Sequence, residues 1–390
     1  MYVDKFKDSH IIFIKKEDVF MINKDRLVNE FCKLVSIDSV SFKEREMADV
    51  LKGYLKDLGF FVLEDKAGEF YKGEAGNVYG YLPGELEGGP ILLSAHMDTV
   101  EPGLSKRAVV HEDGRITSEG NTVLGADDLS GVVAILEAIR AIKEQNIKHR
   151  SIEVLFPIAE EVYIRGSEVF DYSIIKAKEA YVLDLSGPIG TAALKAPTLV
   201  SFTAKFKGKA AHAGFAPETG IHAISMAAEA ITSIKQGRLN EEMTVNIGTI
   251  QGGLAKNIVP EHCLINGEVR CLNHEGALAH MEEIKEAFHK AADKYHGSVE
   301  IDTSFGCIAY GIDKSHSVVK RYERALGDLN IPVNYVDTFG GSDNNNFVKN
   351  GITGIVMACG MNEVHSTNEY SHVDDLEKCS SIVYKILTDI

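Results

Sequence analysis

The sequence predicts an α/β protein whose main domain is interrupted by a smaller α+β domain. Apolar strands alternate with amphipathic helices up to about residue 197, which is typical of a sheet with helices on its faces. Residues 198–305 instead follow a β-α-β-β-α-β order, and the α/β pattern returns from residue 306. The chain has 390 residues, which exceeds one ordinary hydrophobic core, so two domains are expected.

The first part of the chain supplies most of the predicted main sheet. Apolar residues at helical spacing predict helices within residues 24–59 and over 127–147. Short apolar runs predict strands at residues 60–63, 77–82, 91–95, 152–158 and 180–183. We therefore expect residues 24–197 and 306–390 to form one discontinuous domain with a mixed sheet, preceded by an N-terminal extension at 1–23.

The interrupting segment has a different texture. Residues 199–207 alternate apolar and polar side chains, as a half-exposed strand does. Helices are predicted at 221–235 and 277–295, and further strands at 244–250, 263–271 and 299–304. This order predicts one four-stranded, ferredoxin-like sheet with two helices. After residue 306 we expect helices at 317–326 and 376–387 and a strand at 354–357.

Composition and charge exclude several classes of partner. The formal net charge is −16, which disfavours nucleic acid and anionic membranes. No apolar stretch approaches the ~20 residues of a membrane span, and residues 1–20 have no signal-peptide core. Six cysteines without Cys-x-x-Cys spacing favour a reduced, cytoplasmic protein with buried thiols.

Five short motifs carry chemistry, each at the end of an apolar strand or the start of a helix. They are His96-Met97-Asp98, Asp127-Asp128, Glu160-Glu161, Asp184, and the segment that holds His365 and, seven residues later, His372. On a strand, His96 and Asp98 point to the same side, so the carboxylate can orient a metal-bound imidazole. Asp127 could bridge two cations, whereas Asp128 is expected to cap the following helix.

The remaining motifs supply further metal ligands and a group for proton transfer. One of the adjacent glutamates can ligate a cation while the other handles protons on an attacking water. Asp184 stands where open α/β sheets place ligand-binding residues. One of His365 and His372 completes the set, and the residues alone do not decide which. Nitrogen and oxygen donors of this kind suit Zn²⁺.

In order and spacing, these motifs resemble the di-zinc peptidases of the aminoacylase and glutamate-carboxypeptidase group, most of all the tripeptide aminopeptidases of the peptidase T type. The resemblance implies two divalent metal ions, Zn²⁺ first and Co²⁺ or Mn²⁺ as alternatives. It implies that Glu160 is the general base and that Asp98 orients His96. The implied metal ligands are His96, Asp127, Glu161, Asp184 and His365, which leaves His372 outside the set.

The resemblance also gives the inserted segment a role as a lid or dimerisation domain. His212, in Gly208-Lys209-Ala210-Ala211-His212, resembles the residue that polarises the scissile carbonyl. Asn257 and Arg270 resemble substrate-binding residues, and a guanidinium suits a substrate carboxylate. Gly341 and Ser342 resemble a glycine-rich substrate loop. The lid sheet could pair two subunits edge to edge into a homodimer, with a monomer as the alternative.

We therefore expect metal-dependent hydrolysis of peptide bonds in short peptides. Two departures from the peptidase T pattern, Leu129-Ser130 after the aspartate pair and Lys256 before Asn257, bear on substrate choice. The alternatives are an N-acyl amino acid deacylase or carboxypeptidase-type hydrolase of the same group, and a binding protein that keeps the fold without activity. A nucleotide-binding protein finds little support, because no Gly-x-Gly-x-x-Gly or P-loop lysine motif follows the first strand.

Overall fold

The computed structural model describes residues 22–389, so the predicted N-terminal extension lies outside the described residues except for Ile22 and Asn23. In chain order the strands are β1 (Phe61–Glu64), β2 (Val78–Leu82), β3 (Ile91–Ser94), β4 (Ala108–Val110), β5 (Arg115–Ser118), β6 (Ile152–Phe156), β7 (Glu179–Leu185), β8 (Thr191–Ala196), β9 (Thr198–Lys207), β10 (Ala211–His212), β11 (Gly237–Asn240), β12 (Met243–Gly252), β13 (Ile258–Val259), β14 (His262–Cys271), β15 (Ser298–Cys307), β16 (Tyr310–Gly311), β17 (Asn334–Asp337), β18 (Thr353–Ala358) and β19 (Tyr370–His372).

The helices account for the predicted amphipathic segments. They are α1 (Lys24–Val35), α2 (Arg45–Asp57), α3 (Ala67–Tyr71), α4 (Ala126–Glu144), α5 (Arg165–Glu168), α6 (Ala223–Ser233), α7 (His274–Lys294), α8 (Ser317–Asp328), α9 (Asp343–Lys349) and α10 (Val373–Thr388). Short 3₁₀ turns occur at Tyr172–Ile174 and Pro217–Thr219. Within residues 22–389, no helix combines the length and the apolar character that crossing a membrane requires.

A mixed sheet of nine strands forms the main domain, in the order β1-β2-β6-β3-β7-β18-β8-β16, with β17 also paired to β8. Its four central strands, β6, β3, β7 and β18, run parallel to one another. The pairs β1-β2, β2-β6, β18-β8 and β8-β16 are antiparallel, and β17 runs parallel to β8. The sheet is therefore mixed, as predicted, and its parallel centre brings four carboxyl-terminal strand ends to one edge.

Helices cover both faces of this sheet. Leu93 on β3 and Tyr181 on β7 pack into the core that holds helices α1, α2, α4, α8 and α10. The residues beside them, Leu92 and Val182, face the opposite side and pack with Phe347 of α9. Alternation along the strands thus buries both faces, which explains why these strands are continuous apolar runs.

The inserted segment forms its own sheet and its own core. The sheet is antiparallel, in the order β11-β12-β14-β9-β15, and α6 and α7 cover one face. The prediction of four strands was wrong by one, because the short strand β11 pairs with the start of β12. Strand β11 could not be predicted from the sequence, because all but one of its residues are exposed and the strand has no alternation of apolar and polar residues.

Smaller features complete the fold. Strands β19, β5 and β4 form a three-stranded sheet, and β10 pairs with β13. All six cysteines are free thiols, and five of them are buried as predicted, whereas Cys32 is partly exposed.

Candidate metal centre

The predicted metal-binding side chains gather at the carboxyl ends of the four central parallel strands. They are His96 and Asp98 after β3, Glu160 and Glu161 after β6, Asp184 near the end of β7, and His365 after β18. In open α/β sheets this edge is where ligands bind. Residues that are far apart in sequence therefore face one another because their strands are neighbours in the sheet.

Asp127 lies between the two histidines. Its Oδ1 is 3.0 Å from Nε2 of His96, and its Oδ2 is 3.3 Å from Nε2 of His365. Nε2 of His365 is also 2.9 Å from Oε2 of Glu161. Hydrogen bonds to Asp127 and Glu161 raise the pKa of His365 to about 10. One carboxylate that directs an oxygen at each of two imidazoles has the geometry of a ligand shared by two cations.

Two overlapping groups of ligand atoms share His96. One comprises His96, Asp127 and Glu161, and the other comprises His96, Asp128 and Asp184, with the ligand atoms of each group within 4.8 Å of one another. Asp128 differs from its expected role as a helix cap. Its Oδ2 accepts a hydrogen bond from the His96 amide at 3.1 Å, and its Oδ1 lies 3.6 Å from Sγ of Cys359.

Asp98 holds several parts of the site together. Nδ1 of His96 lies 2.9 Å from the main-chain oxygen of Asp98 and 3.4 Å from its carboxylate Oδ1. The carboxylate accepts hydrogen bonds from the amides of Glu160 and Glu161 at 2.9 Å and 3.2 Å, and from Oγ of Ser41 at 2.6 Å. The predicted partner of His96 thus also fixes the backbone of both glutamates.

The buried acidic side chains of the centre repel one another, because too few positive charges lie near them to balance theirs. Burial, followed by repulsion from Asp184, raises the pKa of Asp128 and of Glu160 well above the ordinary range. Burial and the charge of Asp127 do the same for Asp184. Oε1 of Glu161 is buried and has no hydrogen-bond partner among the described residues. Divalent cations would relieve this repulsion and occupy the free oxygen, so the donor set fits two Zn²⁺-type ions.

The family follows from comparison of the chain with known proteins. The model of the peptidase family M20/M25/M40 matches residues 92–389, which include the whole metal centre. The chain belongs to this family. The uncharacterized protein YqjE of Bacillus subtilis is 37% identical over 369 residues, covering 95% of this chain and 99% of its own length.

Two solved peptidase structures resemble this chain over nearly its full length. The aminopeptidase PepT of Bacillus cereus shares 38% identity at a TM-score of 0.89, covering 94% of this chain and 98% of that protein. A tripeptidase of Staphylococcus aureus shares 33% identity at a TM-score of 0.92, with the same coverage. The chain is therefore an M20 peptidase with the PepT fold.

Two of the predicted substrate residues lie away from the acidic cluster. His212 and Asn257 are exposed neighbours on the inserted domain, where the Asn257 carbonyl accepts a hydrogen bond from the amide of Ala213. Nδ1 of His212 accepts hydrogen bonds from the amides of Gly214 and Phe215. Between residues 22 and 389, no hydrogen bond or ion pair joins either side chain to the metal centre, so their catalytic roles stay predictions.

Arg270 connects the inserted domain to the glycine-rich loop. Its guanidinium donates to the Phe339 carbonyl at 2.8 Å and to the Glu268 carboxylate at 2.8 and 3.3 Å. In the loop, a Cβ on Gly341 would lie 3.0 Å from Cδ1 of Ile164, so a side chain there would need its neighbours to shift. Ser342 follows and precedes α9, its amide donating to Oδ1 of Asn345 at 3.0 Å.

The sequence reasoning missed residues that support the centre from behind. Both carboxylate oxygens of Glu369 accept main-chain hydrogen bonds, from Gly125 at 2.7 Å and from Asp127 at 2.9 Å. Glu369 is 2% exposed, and burial raises its pKa to about 7. Nearby, the buried ammonium of Lys106 donates to the carbonyls of Ile37 and Gly103. No periodicity marks these residues, because their neighbours come from distant parts of the chain.

Proposed function

We propose that this M20 peptidase is a di-metal aminopeptidase that hydrolyses short peptides, tripeptides foremost. The arrangement of Asp127 between His96 and His365, with Glu160 beside it, carries the proposal. The similarity to an aminopeptidase PepT and to a tripeptidase, each above 30% identity over almost the whole chain, supports the substrate class.

The metal assignment uses the two ends of the Asp127 carboxylate. His96 and Asp184 would hold one cation, Glu161 and His365 would hold the other, and Asp127 would be shared. Zn²⁺ is the expected ion, with Co²⁺ or Mn²⁺ as substitutes. When bound, the cations supply a Lewis acid that polarises the scissile carbonyl and lowers the pKa of a water.

Glu160 is proposed to move the proton. Its main-chain amide donates to Asp98 at 2.9 Å, which fixes the start of the side chain next to the centre. In this role it removes a proton from the attacking water and delivers it to the leaving amine.

The inserted domain, residues 198–305, is proposed to act as a lid and as a dimerisation domain. His212 would stabilise the oxyanion that develops on the scissile carbonyl, in its own subunit or in a partner. Asn257, Arg270 and the Gly341-Ser342 loop would hold the peptide. Among residues 22–389, β12 pairs with β11 only up to Val245, which leaves its edge at 249–252 available to pair with a second copy.

Hydrolysis of a matched set of substrates tests the proposal. Metal-stripped protein is reloaded with Zn²⁺, Co²⁺ or Mn²⁺ and offered a dipeptide, a tripeptide, a tetrapeptide and the N-acetylated tripeptide. Metal-dependent release of the N-terminal residue, fastest with the free tripeptide, is the expected result. Preference for the acetylated peptide would make the protein a deacylase, and no cleavage with any metal would favour a binding protein.

A pair of variants tests the base. Glu160→Gln should lose at least about a hundredfold in kcat while it binds two cations per chain as the wild type does. The control is Glu168→Gln, a nearby exposed acid that pairs with Arg165 on the surface, and it should retain full activity. Wild-type turnover in metal-loaded Glu160→Gln would show that another group moves the proton.

A further inference from the structure

The turn that follows the catalytic glutamates has an unusual backbone. Tyr163 and Ile164 are consecutive and have φ angles of 74° and 60°. The left-handed region is rare for residues other than glycine, and it is least favourable for bulky or β-branched side chains. Hydrogen bonds from the Ile164 amide to the Glu160 carbonyl (2.7 Å) and from the Arg165 amide to the Ala159 carbonyl (3.0 Å) hold the turn closed.

Packing explains Ile164 but does not explain Tyr163. Ile164 is 4% exposed and packs against Leu199 and Cys307, where the chain enters and leaves the inserted domain. Tyr163 is 53% exposed, and its hydroxyl has no hydrogen-bond partner among the described residues. A strained position that gains little burial points to a role outside the fold's own stability.

Tyr163 faces a cavity shared with the inserted domain. The cavity has a volume of about 340 Å³, and its wall includes Tyr163 together with Ser201, Thr203, Asn246, Asn266 and Glu268 from β9, β12 and β14. Next to the ring, a Cβ on Gly306 would lie 3.5 Å from Cδ1 of Tyr163. The turn after the catalytic glutamates therefore forms one wall of a cleft whose opposite wall is the sheet of the inserted domain.

The sheet wall is polar and largely neutral. Oγ1 of Thr203 donates to Oδ1 of Asn266 at 2.8 Å, and Nδ2 of Asn266 donates to Oγ1 of Thr249 at 2.8 Å. Glu268 is neutralised by its ion pair with Arg270. Asn246 makes no side-chain hydrogen bond within residues 22–389. Amides and hydroxyls both donate and accept, so this wall suits the N–H and C=O groups of a peptide backbone.

We propose that this cavity, the Tyr163 subsite, binds the main chain of the substrate residue beyond the dipeptide unit and thereby determines peptide length. Asn266, Glu268 and Arg270 alternate along β14 and so lie on one face, which places the subsite next to the proposed carboxylate anchor. Tyr163 covers the bound peptide group with its ring. The inference rests on the proposed peptidase activity and adds the residue that selects tripeptides over dipeptides.

Replacing Tyr163 by residues that tolerate a positive φ distinguishes an effect on substrate binding from an effect on protein stability. Tyr163→Gly and Tyr163→Asn should keep or raise the Tm, because both relieve the left-handed conformation. Each should lower kcat/KM for a tripeptide by about tenfold, the loss of one aromatic contact, and leave the value for a dipeptide within about twofold. Asn246→Ala on the opposite wall should reduce the tripeptide preference in the same direction.

The control is His296→Gly, which makes the same change at an exposed residue with a φ of 59°. His296 precedes Ser298, the end of β15 opposite to Cys307 and the domain crossover, so its replacement should leave the kinetics of both peptides unchanged. An unchanged tripeptide-to-dipeptide ratio in Tyr163→Gly, or an equal loss for both peptides, would overturn the inference alone. Wild-type protein that cleaves neither peptide with any metal would overturn the proposed function, and the subsite with it.

Discussion

Replacing Glu369 by Gln should loosen the loop that carries Asp127 and weaken cation binding. The two oxygens of Glu369 accept hydrogen bonds from the amides of Gly125 and Asp127, so the carboxylate fixes the backbone from which Asp127, the proposed shared ligand, projects. Gln has nearly the same shape but only one acceptor oxygen. Its NH₂ group would face an N–H donor, and one of the two main-chain hydrogen bonds would be lost.

The size of the effect follows from these contacts. A buried hydrogen bond to a charged group contributes about 1.5–3 kcal/mol, and an amide left facing a donor adds a desolvation cost. We therefore expect the free energy of unfolding of the metal-free protein to fall by about 2–4 kcal/mol. Loss of such an outer partner typically weakens metal affinity by about 10–100-fold.

Two measurements check this prediction at pH 8, above the pKa of about 7 that burial gives Glu369, so that the carboxylate is ionised. Urea unfolding of metal-free protein reports stability, and calorimetric titration with Zn²⁺ reports the affinity and number of cations. Glu363→Gln, an exposed acid in the same segment, is the matched control. A Glu369→Gln protein with the wild-type urea midpoint and two wild-type cation affinities would refute the positioning argument.

Three further predictions concern stability, assembly and substrate binding. Lys106→Met should lower the free energy of unfolding, and the difference from the wild type should grow between about pH 8 and 10.5. The reason is that burial lowers the pKa of Lys106 in the folded protein to about 8, so in this range the unfolded wild type binds more protons than the folded one and the wild type gains stability as the pH rises. Equal pH profiles of the two proteins in urea unfolding would contradict this. Ile250→Lys, on the exposed edge of β12, should convert a lid-mediated dimer to monomers in sedimentation, with Phe70→Lys on the main domain as control. Arg270→Ala should raise KM by about tenfold for a free tripeptide but not for its C-terminal amide, and equal effects on both would exclude a carboxylate anchor.

Much of the fold could be predicted from the sequence, because many of its helices and strands have a local periodicity of apolar residues. Continuous apolar runs predicted β3, β6, β7 and β18 to within a few residues, since each strand is buried on both faces. The short or exposed strands, such as β11, were missed because little of their side-chain surface is buried. These strands form through pairing with a neighbouring strand, and neither periodicity nor composition predicts that pairing.

The candidate site divides in the same way. The positions of His96, Asp127, Glu160 and Glu161 at element ends were visible in the sequence, whereas the choice between His365 and His372 was left to the family resemblance. In the structure His365 lies within 3.3 Å of Asp127, and His372 instead contacts the Asp113 carbonyl. Only the position of the segment after β18 separates the two histidines.

The candidate metal-binding residues could be recognised from the sequence, because the identities of histidines and carboxylates and the ends of their strands are local properties. Which of these groups meet depends on the fold, since the sheet order β6-β3-β7-β18 places candidate ligands from four distant segments at one edge. The fold also places Glu369 against the amides of Gly125 and Asp127, and Tyr163 against the sheet of the inserted domain. Burial and hydrogen bonding depend on neighbours that are distant in sequence, and no local pattern records those neighbours.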